Sequence, residues 1–198
     1  GSTNEIGVFE MKEEGLREVA NPSEIFLSER PLGVPGSIVA ASMEGTRPIL
    51  VEIQALVTPS FLALPRRTTI GVDHNRVALI VAILEKKMKI KLFNQDIFVN
   101  VAGGVNVSEP AVDLGIAVAV ASSCLEKPLD PTTVFFGEVG LAGEIRAIAQ
   151  AEARVREAGK MGFKHCILPQ ANGQQLGHIE SPALCGVSSL ADCWESLF

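Results

Sequence analysis

Four cysteines (Cys124, Cys166, Cys185, Cys193) and three histidines (His74, His165, His178) are scattered through 198 residues with no C-x-x-C or H-x-x-x-H pair. Zinc sites need such ligands at close, regular spacing, so no metal site is expected in this chain. Cys124 and Cys166 sit inside apolar runs and read as small buried hydrophobes. A serine nucleophile needs an adjacent base. Ser122-Ser123 has none evident, no G-x-S-x-G occurs, and a helix-capping role is the simpler account. Gly137, Gly140 and Gly143 are spaced G-x-x-G-x-x-G, and a strand is expected after them, not a helix whose N-terminus would receive phosphates. With no G-x-x-x-x-G-K-[ST] either, the chain is not expected to bind ATP by itself.

Charge is the remaining chemical signal. The total is -6, yet residues 66–91 carry +5, with Arg66, Arg67, Arg76, Lys86, Lys87, Lys89 and Lys91 against Asp73 and Glu85. Residues 1–30 carry -4 and residues 92–198 carry -6. Any phosphate contact is therefore expected in that one segment. Two plainer accounts compete. The lysines can be the solvated end of a helix, complementing its dipole. The arginines can pair with acids such as Asp73 or Glu52 and hold the fold.

These side chains have to be positioned by elements that the apolar pattern outlines. Strands are expected over 5–11, 37–43, 47–57, 68–72, 97–101 and 164–168, with a hairpin at Glu44-Gly45-Thr46. Gly15 to Val19 reads as a short turn or helix before a break at Asn21-Pro22-Ser23. A deeply packed helix is expected over 75–89, apolar almost all round. A second is expected to open at Ser108-Glu109-Pro110 with Ser108 as N-cap, and a third spans 149–158. Residues 134–141 and 144–148 should pair across a glycine turn, and a short helix should end the chain at 190–198. No apolar run approaches the roughly 20 residues that cross a bilayer. Four glutamates within residues 5–14 argue against a signal peptide, so a single domain in the cytoplasm is expected. Strands followed by helices interleaved with strands indicate an α+β class.

Several strings carry a resemblance over essentially the whole chain. They include Asn4 to Met11, Gly15 to Val19 with Asn21-Pro22-Ser23, Glu44 to Pro48, Leu50 to Val57, Pro65-Arg66-Arg67, Asn75-Arg76, Gln95 to Val101 and Gly137 to Ile145. Together they resemble the C-terminal, Lon-protease-like domain of the RadA (Sms) family of bacterial DNA repair proteins. The resemblance implies a Lon protease C-terminal-like (ribosomal S5 domain 2-like) fold for residues 1–198. It implies a parent whose zinc finger and RecA-like ATPase core precede this segment, so that zinc, ATP and Mg belong to the parent alone. It further implies work in recombination and branch migration, a hexameric ring, association with the nucleoid, and the RecA recombinase as a candidate partner.

Aligned with active Lon peptidases, Asp113 stands where the serine nucleophile belongs and Glu152 where the helper lysine belongs. An acid is a poor nucleophile toward an amide, and an anion cannot act as the neutral amine, so the resemblance implies a degenerate peptidase site. Under this reading Arg66, Arg67, Arg76 and the four lysines contact DNA. The contact should be sequence-independent and salt-sensitive, without base stacking, since no aromatic residues interleave with them. Two alternatives stand beside it: an active Lon-like serine-lysine peptidase, and a protein-interaction module that touches no DNA.

Overall fold

A computed structural model of the chain describes residues 9–13, 15–18 and 21–198. A seven-stranded sheet runs through the centre, in the order β11-β10-β7-β3-β4-β6-β5. Its strands are β3 (Ser37–Glu44), β4 (Arg47–Pro59), β5 (Arg67–Ile70), β6 (Gln95–Val101), β7 (Thr133–Phe135), β10 (His165–Pro169) and β11 (Ala183–Val187). The expected hairpin joins β3 to β4, with Glu44 opposite Arg47. Only β3–β4 and β4–β6 are antiparallel. The other four pairings are parallel, so the class is mixed α/β with a mostly parallel sheet.

Alternation along β4 divides the core between the two sheet faces. Ile49, Val51, Ile53 and Ala55 pack with α2 (His74–Met88) and α3 (Asp113–Leu125). Leu50 points the other way, into a cluster with Val39, Ala41 and the α4 (Ala151–Lys160) residues Ala151, Val155 and Ala158. Helix α3 sits close on β3 because Gly115 has no side chain. A Cβ there would lie 2.9 Å from Ile38 Cδ1 and 3.3 Å from Ala40 Cβ.

Helix α2 begins at the side chain of Asp73, which accepts from the Asn75 N–H at 3.3 Å, and ends at Lys89 in the left-handed region. The second expected helix starts differently. Pro110–Val112 forms one 3-10 turn, Ser108 caps nothing, and α3 proper starts at Asp113. Its first turn is held by tertiary bonds instead, with the Leu114 N–H donating to Gly137 O at 3.0 Å.

Asn21-Pro22-Ser23 is not a break but the start of α1 (Pro22–Leu27), with Asn21 as N-cap and Pro22 in the first turn. Proline suits that position because its missing N–H has no helical partner there. The described part of the expected first strand is β1 (Phe9–Lys12). Gly15 to Glu18 forms strand β2 against it, not a turn or helix. The rest of the first strand and Val19 lie outside the described residues. Residues 134–141 split between two sheets: β7 joins the main one, while β8 (Glu138–Val139) pairs with β9 (Ile145–Arg146). Helices α5 (Gln170–Gln175) and α6 (Leu190–Leu197) complete the chain. Among the described residues no helix is long and apolar enough to cross a membrane.

Candidate functional site

The two acids that the Lon resemblance singles out occupy different environments. Asp113 is buried at the start of α3. Both of its carboxylate oxygens accept from the Arg76 guanidinium in the first turn of α2, and Oδ2 also accepts from the Val139 N–H at 3.1 Å. Burial pushes its carboxyl above the usual range, against the pull of Arg76 and the Val139 N–H. The same contact holds the Arg76 guanidinium more firmly charged than usual. A carboxylate with both oxygens engaged in this way joins α2, α3 and β8.

Glu152 lies exposed in the first turn of α4. It accepts from Arg156, one helical turn on, at 3.1 and 2.7 Å, and His178 Nε2 lies 3.9 Å away. The Arg156 hydrogen bond holds its carboxyl below the ordinary range. Asp113 and Glu152 share no partner. Among the described residues no serine hydroxyl is hydrogen-bonded to a lysine ammonium. Ser122 Oγ accepts from the Gly36 N–H at 2.9 Å and donates to Lys127 O at 2.5 Å, while Ser123 Oγ accepts from the Val57 N–H at 2.9 Å. Both serines therefore fasten the end of α3 to its surroundings, a wider role than capping alone. Cys166 and Cys193 are buried, and burial pushes both thiols up to about 12. Cys124 is only half-buried. Among the described residues no three His, Cys, Asp or Glu side chains are grouped to hold a metal ion.

Near the start of α4 a cavity of about 250 Å³ is lined by Glu109, Ala111, Glu138, Gln150 and Arg154. Its organising residue is Arg154, 2% exposed and paired through its fork with both oxygens of Glu109. Arg154 also donates to Ala41 O at 2.9 Å and Ala149 O at 3.2 Å, and Glu109 accepts from the Met43 N–H at 3.0 Å. Neither residue belongs to a sequence motif that points to a site. A signal was present, because Arg154 falls within the buried stripe Ala151, Arg154, Val155, Ala158 of α4, where a charge needs a partner.

The basic segment separates into two groups. Arg66 donates to the buried carboxylate of Asp96 through its backbone N–H at 2.7 Å and through its side chain at 3.2 and 2.8 Å. The Arg66 side chain keeps 59% of its surface exposed and lies 5.5 Å from the Phe98 ring centroid. Its bond brings the Asp96 carboxyl down to about 2. Arg67 donates to the carbonyls of Gln95 and Leu92. Arg76 holds Asp113. All three arginines thus join elements, through partners other than Asp73 and Glu52. Lys86, Lys87, Lys89 and Lys91 are exposed, and none forms a salt bridge within the described residues. The Lys87 stem runs beside the β8–β9 turn, 3.6 Å from where a Cβ on Gly143 would stand.

Comparison with known proteins gives a consistent pattern. A family model described as "Subunit ChlI of Mg-chelatase" matches residues 56–172. A "DNA repair protein RadA" of Halalkalibacterium halodurans is 55% identical over 98% of this chain and 43% of its own length. That of Bacillus subtilis is 54% identical over 97% of this chain and 42% of its own. That of Streptococcus pyogenes serotype M3 is 49% identical over 100% of this chain and 44% of its own. The chain thus spans about two fifths of the length of the relatives it matches.

Proposed function

The chain belongs to the family described as ChlI, subunit ChlI of Mg-chelatase, and from that premise we propose that it is a non-catalytic Lon-type domain of a RadA-type DNA repair protein. In this reading its Lon protease C-terminal-like fold scaffolds a hexameric ring. Its lysine cluster holds the phosphate backbone of duplex or branched DNA beside a DNA-dependent ATPase supplied by the rest of the parent. Homologues named as DNA repair proteins at 49–55% identity support a role in DNA repair.

One observation carries the DNA contact: Lys86, Lys87, Lys89 and Lys91 are four exposed cations without salt bridges among the described residues of an acidic chain. Clustered lysines displace counterions from phosphates without reading bases. The arginines contribute less directly, since each is engaged within the fold, although the exposed part of Arg66 extends the same surface. The non-catalytic reading is supported by the ion pair that consumes Asp113.

Fluorescence anisotropy with a labelled duplex at two salt concentrations tests this. Replacing all four lysines by glutamine should weaken binding by about tenfold or more at low salt and flatten the salt dependence. Unchanged affinity removes the lysine cluster from the interface. Casein should remain uncleaved, and cleavage that is lost in Asp113→Ala would restore the peptidase reading.

A second reading, an interaction module without DNA contact, is favoured by one feature. Phe61, Leu62 and Leu64 are exposed side by side in the loop after β4, with Ile70 exposed on the edge strand. A lysine variant with unchanged DNA affinity would move the assignment there.

A further inference from the structure

The layer of helices on the α1–α4 face of the sheet stops partway across. Leu50 is covered, whereas Leu56, farther along β4, and Ile70, on the edge strand β5, are 59% and 60% exposed. Where that cover ends, a cavity of about 200 Å³ opens between α1 and the sheet, lined by Ile25, Phe26, Arg30, Glu52, Gln54 and Gly103. Glu52 is only 2% exposed. Its Oε2 accepts from Ser37 Oγ at 2.5 Å and from Gln54 Nε2 at 3.2 Å. Its Oε1 accepts from none of the described residues, and no described cation lies within ion-pairing distance. Arg30 feels the Glu52 charge, but its guanidinium lies over Phe163, 5.1 Å from the ring centroid.

A largely buried carboxylate bonded only by neutral donors, with its second oxygen open to the cavity, can take a cation there. We propose that this cavity binds the guanidinium of an arginine side chain presented by a partner polypeptide. Glu52 Oε1 takes the charge. The cavity is wide enough for a planar head, and Ile25 and Phe26 give the aliphatic stem and the ring-facing guanidinium an apolar wall. Glu29 at the rim adds a second negative charge facing the entrance, against the single positive charge of Arg30. The polypeptide origin follows from the neighbouring surface. The Glu52 row of β4 continues through Gln54 to Leu56, 59% exposed, so a residue flanking the arginine meets an uncovered apolar side chain. This site is independent of the DNA-contact reading, because the lysine cluster takes no part in it.

The test is a ¹⁵N NMR titration of the 198-residue chain with three probes: N-acetyl-arginine amide, N-acetyl-lysine amide and a capped Leu-Arg-Leu peptide. Saturable shifts are expected at the Gln54 side-chain amide and the Gly103 N–H. The peptide should bind about tenfold tighter than the single arginine, and the lysine probe more weakly than either. Glu52→Gln keeps the shape and should weaken all binding by about tenfold or more. Ile25→Trp, at the cavity wall, fills the cavity and should abolish binding in a variant that keeps the carboxylate. Absence of saturable shifts, or affinity unaltered by both substitutions, overturns the site. Equal affinity for lysine overturns the guanidinium assignment, and equal affinity for the free amino-acid amide overturns the polypeptide assignment. Shifts that appear only in Arg30→Ala would make Arg30 itself the occupant and overturn the proposal.

Discussion

Asp113 and Glu152 are the two acids that the Lon resemblance singles out, yet they have opposite fates in this fold. Asp113 is enclosed, bonded by Arg76 and a backbone N–H, and joins three elements. Glu152 sits on the outer surface of α4 with a neighbour on its own helix. The same contrast separates Arg154 from Arg156 on that helix, the first 2% exposed and the second on the surface. The difference teaches that charge type does not set a residue's contribution here. Burial does, because a buried charge left without its partner has no water to replace it.

The largest break in that contrast is Arg154→Ala, which leaves Glu109 without its cation and opens a cavity beside β3. It should cost about 4 kcal/mol, read as a Tm lowered by about 10 °C in calorimetry. A shift no larger than that of a surface substitution would show that the pair is dispensable.

Asp113→Ala comes next. Its partner Arg76 keeps 28% of its side chain exposed and recovers some hydration, so the loss should be about 2–3 kcal/mol. A cycle with Arg76→Ala in urea denaturation should show strong non-additivity, since each single change already removes the contact. Additive losses would mean that the two side chains act separately.

Acid sharpens the comparison at a third carboxylate. Asp96 has a folded pKa of about 2, drawn down first by the Arg66 side chain, against about 3.9 when unfolded. A depressed carboxylate stabilises fully above its unfolded value and loses that contribution as pH falls through the folded one. Stability should therefore decline between about pH 4 and pH 2, and Asp96→Asn should flatten that part of the curve. An unchanged slope in the variant would remove the Arg66 bond as its cause.

The smallest effect belongs to Glu152→Ala. An exposed pair one turn apart on a helix adds little, so no resolvable change in Tm is expected. A large drop would place Glu152 in a contact beyond Arg156 and His178.

Much of the fold was legible in the sequence. The apolar runs of α2 and α3, the β3–β4 hairpin, β4, β6, β10 and the terminal helix follow from periodicity and turn residues, which are local properties. The misread elements failed for identifiable reasons. Asn21-Pro22 can break a chain or start a helix, and only the packing of α1 decides between them. The start of α3 has no side-chain cap because its bonds come from the loop at Gly137.

By itself, the sequence determined that positions 113 and 152 carry acids and that positive charge gathers in residues 66–91. Tertiary structure alone decided which of those charges are spent within the fold. Arg66 reaches Asp96, Arg76 reaches Asp113 and Arg154 reaches Glu109, pairs separated by 30, 37 and 45 residues. Local pattern can show that a charge is present, but its partner is chosen by how the sheet and helices bring distant segments together, and that choice leaves the four lysines outside.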